Sequence, residues 1–304
     1  MATLREIRRR IRGIRNVAQV TRAMQMVAAS KMRRAQAQVL GTRPYAEKTW
    51  EVLKDLAAQQ GAGGALHPLL EVRPEIKAIG LLLITADKGL CGAYNANMLR
   101  VASRFILEAE KPVRVIAVGR RGAVFMAHHR QELIAEFTKL PSQPRIMDVT
   151  PIAHVAMNAF LSGEVDELYL GYTRFINTLT QRPVIRRLLP LPTKQANSHL
   201  GVLSPVVQKD APPPRIGDFI YEPDPQSVLN TILPRFTEIQ IYQAILEALA
   251  SEHSARMVAM RSATDNANAL LAELTLSYHR ARQSSITREM LDIAGGVEAM
   301  RQRR

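Results

Sequence analysis

The sequence predicts a mixed α+β/α/β chain: a long antiparallel two-helix coiled coil built from the N- and C-terminal segments, plus a central Rossmann-like α/β domain. Three observations predict it. Residues 1–60 and 226–300 carry apolar side chains at helical spacing with few glycines or prolines. Between them, short apolar runs alternate with amphipathic stretches. No run of about eighteen uncharged apolar residues occurs, so the long patterns are not membrane spans. Two such helices satisfy each other most simply by burying their stripes together.

The first long helix spans 1–60. Leu4, Ile7, Ile11, Ile14 and Ala18 recur at alternating steps of three and four, and the stripe then drifts through Met24, Val27, Ala28, Met32, Ala35 and Val39. Gly41 and Pro44 are candidate interruptions; the pattern resumes from Tyr45 to Ala58 and ends at Gly61, Gly63 and Gly64. The central domain spans 75–192. Ala78–Thr85 reads as a strand buried on both faces. A DKGLCG loop follows, then a helix at Asn95–Glu110, a strand at Val113–Val118, and helices at Arg120–His129 and Pro151–Leu161. Glu167–Tyr172 is a further strand, and Thr180–Leu191 a strand or hairpin. The alternation calls for a largely parallel sheet.

Residues 193–225, with Pro212–Pro214, read as a Pro-rich connecting loop. The second long helix spans 226–300, with Asp224 as N-cap and Pro225 in the first turn. It is longer than its partner, so its last turns stand alone with Ile286, Met290, Leu291, Ile293 and Val297 in water. Exposed apolar surface costs about 25 cal/mol per Å². Such a tip needs a partner surface, unless it folds back on its own chain.

The composition is 47% hydrophobic and 22% charged, which excludes disordered and disulfide-rich classes. The single cysteine, Cys91, makes no internal disulfide and suits a reducing compartment. The net charge is +14, and residues 1–43 hold eleven Arg or Lys against one acid, Glu6. A basic segment of this kind implies nucleic acid, anionic lipid or an acidic protein surface as partner, or else a solvated helix face. Only Tyr45 and Trp50 lie near it as stacking platforms, so nucleic acid would be held by phosphate attraction.

Signals for catalysis are absent. The turn Thr85–Gly92 lies between a strand and a helix, but neither GxxxxGK[ST] nor GxGxxG occurs. There is no HExxH and no CxxC, the histidines are scattered, and Cys91 has no evident His partner. No catalytic, cofactor-binding or metal residue is therefore nominated.

Several segments resemble one family, the gamma subunit of F-type ATP synthases of the bacterial type. Thr21–Met32 (TRAMQMVAASKM) looks like its TKAMxMVAASKM signature, and Asp87–Asn95 (DKGLCGAYN) like D[RK]GLCGxxN. Phe175–Thr178 and Leu188–Pro192 also match. Ser251–Ala267 is similar to SExxARMxAMxxATDNA, and Ala281–Thr287 to ARQAxIT. The matches run in order from residue 5 to 300.

The resemblance implies a non-catalytic rotor: the central stalk of a proton-translocating ATP synthase. It would pass rotation of the c-ring to the catalytic sites of the alpha/beta hexamer, and so serve ATP synthesis and hydrogen ion transport. Expected partners are the alpha, beta and epsilon subunits and the c-ring, with one copy of this chain per complex. No cofactor is expected on this chain, ATP, ADP and Mg being held by partner subunits. The expected location is peripheral, on the cytoplasmic face of the bacterial plasma membrane. By motif match, Arg8, Arg9, Met24 and Arg33 would face an acidic loop of beta, and Arg256, Gln283 and Thr287 would engage beta higher up. Ile286, Met290, Ile293 and Val297 would sit in an apolar bearing, and Tyr221, Glu222 and Asp224 in a foot touching epsilon and the c-ring. The chain departs from the family in surplus residues near 196–216, and residues 192–225 lack the cysteine pair of redox-regulated members. A basic coiled-coil protein that binds nucleic acid is the competing reading. A cytosolic α/β enzyme with helical arms would need a phosphate cradle or an acid–base pair, and neither is present.

Overall fold

The computed structural model describes residues 3–59, 67–191 and 224–301. The connecting loop at 193–223, including Tyr221, Glu222 and Pro212–Pro214, lies outside the described residues. The chain separates into two compact units, Met1–Ala28 with Met257–Arg304, and Ala29–Arg256. The division cuts through both long helices instead of falling at their ends.

Five strands build the sheet of the larger unit: β1 (Ile79–Ile84), β2 (Val113–Val118), β3 (Glu132–Phe137), β4 (Glu167–Phe175) and β5 (Gln181–Leu189). Their order is β3-β2-β1-β4-β5, with the first three pairings parallel and β4–β5 antiparallel. The central strands are apolar on both faces because both faces are covered. Leu81, Leu83, Val115 and Ala117 pack under α2 (Tyr94–Glu108) and α3 (Arg120–His128). Leu82, Ile84, Ile116, Val118, Leu168 and Leu170 face α4 (Ile146–Leu161) and the first part of α5 (Pro225–Arg301).

Two elements differ from expectation. β3 was not foreseen, because its sequence ELIAEF carries Glu132 and Glu136 and sits at a sheet edge. α4 begins at Ile146, five residues before Pro151. Proline leaves the carbonyl four residues earlier without its helical donor, and that residue, Met147, is 79% exposed, so water takes the place of the bond. The same holds for α1 (Leu4–Gln59), which passes through Gly41 and Pro44 without a break; Leu40, whose carbonyl loses its donor, is exposed. α5 likewise contains Pro234. Asp224 caps α5: its carboxylate accepts from the Ser227 amide at 2.9 Å and the Ser227 hydroxyl at 2.6 Å. Among the described residues, no helix is long and apolar enough to cross a membrane.

In the smaller unit, α1 and α5 make one seam. Thr21 and Thr264 hydroxyls meet at 2.7 Å, and Arg8 donates to the Tyr278 hydroxyl at 2.5 Å. Going back along α1 from Thr21 to Arg8 moves the partner forward along α5 from Thr264 to Tyr278. The helices therefore run antiparallel and keep step.

Candidate functional site

Within the smaller unit, Leu4, Ile7, Ile11, Ile14, Ala18, Thr21, Gln25 and Ala28 of α1 are each partly or wholly buried and are spaced strictly three and four apart. On α5 Met257, Met260, Thr264, Ala267, Leu271, Leu274, Tyr278 and Ala281 are likewise partly or wholly buried, with the same spacing. This is a heptad seam. The expected drift is corrected at Val27, which is exposed, while Met24 is partly buried as expected. Thr21 and Gln25 carry the seam onward, and Val17, Val20, Met24 and Val27 form a second stripe one position over. Val17, Val20 and Val27 are 51%, 58% and 56% exposed, and Met24 is half-buried.

Arg8 is tied to Tyr278 by its hydrogen bond and by stacking, its guanidinium carbon 5.5 Å from the ring centre. That bond draws the Tyr278 phenol below its ordinary pKa. Arg9 is exposed, as is Arg33 in the larger unit. Kept in step, the seam reaches Leu4 and Ala281 together. Beyond it Ile286, Met290, Leu291 and Ile293 are 46%, 60%, 66% and 69% exposed. Gln283 and Thr287 are exposed on the same turns, with the Thr287 hydroxyl donating to the Gln283 carbonyl at 3.0 Å. The side chain of Val297 lies outside the described residues.

In the larger unit, the DKGLCG turn is spent on holding itself together. Asp87 accepts the Arg120 amide at 2.9 Å and the Lys139 amide at 3.0 Å, so its carboxylate caps α3. Thr85 Oγ1 accepts the Gly122 amide at 2.9 Å. Gly119, at φ +98°, is required: a Cβ there would collide with the Thr85 carbonyl. Asn95 accepts the Ala86 amide at 3.1 Å, and its Nδ2 lies 3.2 Å from Cys91 Sγ. Cys91 is buried, and burial pushes its thiol pKa up, which opposes nucleophilic use. Among the described residues, no three His, Cys, Asp or Glu side chains gather as a metal site.

Arg256 was expected to engage a partner. Its side chain is 13% exposed and is held within the chain. It pairs with Glu252 at 2.7 Å and donates to the Gly89 carbonyl at 3.2 Å. His253 stands 3.3 Å from Arg256 Nη1 through Nδ1. A guanidinium only donates, so Nδ1 is the acceptor and the proton sits on Nε2, which has no hydrogen-bond partner. Burial, with Arg256 and Lys31 nearby, lowers the His253 pKa to about 4. Burial likewise raises that of Glu252. Sequence reasoning missed Ser251 and Ser254 in this turn. Both are fully buried polar residues whose roles depend on tertiary neighbours.

Residues 3–300 match the family model described as ATP synthase. A protein of Roseiflexus castenholzii called ATP synthase gamma chain is 50% identical over 303 residues, covering 99% of both chains. One of Dehalococcoides mccartyi with the same name is 49% identical over 300 residues, covering 99% of this chain and all of that one. This chain belongs to the ATP synthase gamma family. Its fold is similar to that of a chain in the Euglena gracilis mitochondrial ATP synthase OSCP/F1/c-ring structure, with TM-score 0.66, 19% identity and 98% and 94% of the two chains covered. A chain of the Tetrahymena thermophila mitochondrial ATP synthase central stalk/c-ring aligns with TM-score 0.58 at 23% identity, over 80% of this chain and 99% of that one.

Within the gamma-family chain, the Thr21–Met32 segment spans the division: Thr21–Ala28 supplies seam and outer stripe of the smaller unit, Ala29–Met32 belong to the larger, and Asp87–Asn95 forms the strand-end turn of the larger.

Proposed function

We infer that this chain is the non-catalytic central-stalk rotor subunit of a proton-translocating F-type ATP synthase, coupling rotation of a c-ring to the catalytic sites of an alpha/beta hexamer. The observation that carries this is the family match from residue 3 to 300, at about half identity to bacterial gamma chains over their whole length. The geometry supports it in two ways. The smaller unit keeps an apolar stripe outside its own seam, and α5 continues past the seam with apolar residues in water. Both features suit a helix pair seated inside other polypeptides. Nothing in the fold or the relatives supports the nucleic-acid reading.

In this reading Arg9 and Arg33 meet an acidic loop of beta, with Met24 and its outer-stripe neighbours against the apolar part of that surface. Gln283 and Thr287 engage beta at the far turns, and Ile286, Met290, Ile293 and Val297 turn in an apolar bearing. Arg8 and Arg256 engage beta while held in place by Tyr278 and by the strand-end turn. Tyr221, Glu222 and Asp224 belong to the foot against epsilon and the c-ring. Nucleotide and Mg sit on partner subunits, and the chain is held at the cytoplasmic face of the bacterial plasma membrane through those partners. The test is affinity purification of the tagged chain from native membranes. Alpha and beta subunits are expected at three copies each per tagged chain; recovery of the chain without them would end the reading.

A further inference from the structure

The turn of α5 from Ser251 to Arg256 binds three backbone carbonyls at the end of the sheet. Ser251 Oγ donates to Thr173 O at 3.0 Å, Ser254 Oγ to Thr178 O at 2.8 Å, and Arg256 Nη2 to Gly89 O at 3.2 Å. Thr173 lies in β4, Thr178 in the turn between β4 and β5, and Gly89 in the turn after β1. Ala255, in the same turn of α5, packs with Ala86, Cys91 and Tyr94.

Local chemistry explains why these carbonyls are open to the helix. Thr173 lies two residues past Gly171, the last residue of β4 that pairs with β1. A buried carbonyl without a donor is costly, and Ser251 supplies the donor. In the β4–β5 turn, Asn177 Oδ1 accepts the Leu179 and Thr180 amides at 2.9 and 2.7 Å, which fixes the loop. Gln181 Nε2 donates to Thr178 O at 2.9 Å and reaches Ser254 Oγ at 3.4 Å, so Ser254 and Gln181 hold the same carbonyl.

Apolar packing alone resists rotation of a helix about its axis only through the shape of its side chains. Directional bonds to two separate turns resist it in either sense, because turning α5 either way stretches at least one of them. We propose that Ser251, Ser254 and Arg256 form a latch that fixes the rotational setting of α5 on the α/β sheet, and that Ser254 is a positioning residue for energy coupling. The coupling role rests on the central-stalk reading; the latch itself does not. The hydroxyl of Ser254 acts at a distance from any nucleotide, by keeping the helix from twisting under load.

The test uses Ser254→Ala and, as the conservative control, Ser254→Thr. In the full chain, amide hydrogen exchange over 176–181 is expected to rise about tenfold in S254A and to stay near the parent in S254T. In the complex reassembled with its partner subunits in vesicles, ATP hydrolysis and ATP-driven proton uptake are measured together. S254A is expected to keep hydrolysis within about twofold while proton uptake per ATP falls by about half or more, and S254T to restore it. Gln181→Met, which removes the second donor on the same carbonyl, carries the same expectations should S254A not fold. Unchanged exchange would overturn the latch. Faster exchange with unchanged uptake per ATP would overturn its coupling role. Failure of the parent chain to enter the complex would overturn the central-stalk reading, and the exchange result would then still decide the latch.

Discussion

His253 is neutral where it stands, and protonating it would place a cation in a buried site beside Arg256 and Lys31. Its pKa falls from 6.5 to about 4 on folding. Between those values the unfolded chain takes up a proton that the folded chain refuses. Stability is therefore present above 6.5 and lost as pH falls toward 4, at up to about 1.4 kcal/mol per pH unit. Glu252 works in the opposite sense, since its raised pKa favours proton uptake by the folded chain. Thermal unfolding of the full chain between pH 7 and 5 should show the melting temperature falling, and His253→Gln should flatten that slope. An identical slope in both proteins would place the acid sensitivity elsewhere. A second residue marks the limit of reading side chains one at a time: Arg256 matched a motif position expected to face a partner, and its bonds to Glu252 and Gly89 within the chain could not be read from that match.

The elements of the α/β domain were legible wherever burial on both faces produced a continuous apolar run, as in β1 and β2. They were illegible where an edge or an exposed proline removed that signal, as in β3 and the start of α4. The long helices were legible in type and extent but not in facing. Along α1, Thr21 and Gln25 occupy seam positions that a hydrophobicity pattern cannot mark, while the bulkier Val17, Val20 and Val27 face outward. Between Phe236 and Ser254, α5 is buried on nearly every side, so no single stripe describes it. This gives a paired expectation. Gln25→Leu replaces a seam amide with an apolar side chain and should raise the stability of the helix pair by about 1 kcal/mol. Val27→Glu alters only the outer stripe and should change stability by less than about 0.5 kcal/mol, while lowering recovery of the chain with alpha and beta. Denaturant melts and co-purification yields measure the two; a large stability loss in V27E would mean that the outer stripe is part of the chain's own core.

For the molecule as a whole, the extent of the family match follows from residues spread over the entire chain, which is why the role could be read from sequence when no local motif offered chemistry. The latch could not be read so, because Ser251, Thr173, Ser254 and Thr178 are brought together only by the fold. Ending the chain after Ser285 removes Ile286, Met290, Leu291 and Ile293, which stand exposed. The shortened chain is expected to keep the melting temperature of the full chain within about 2 °C, and its complexes to hydrolyse ATP with reduced coupling to proton movement. A collapse in melting temperature would show that these turns support the fold. The outer stripe of Val17, Val20, Met24 and Val27 has one more consequence. A helix pair that shows Val17, Val20 and Val27 outside its own seam is sticky whenever it is alone. A cell that made this chain faster than its companions would therefore meet the surplus as prey for chaperones and proteases, which ties its abundance to theirs without any dedicated regulator.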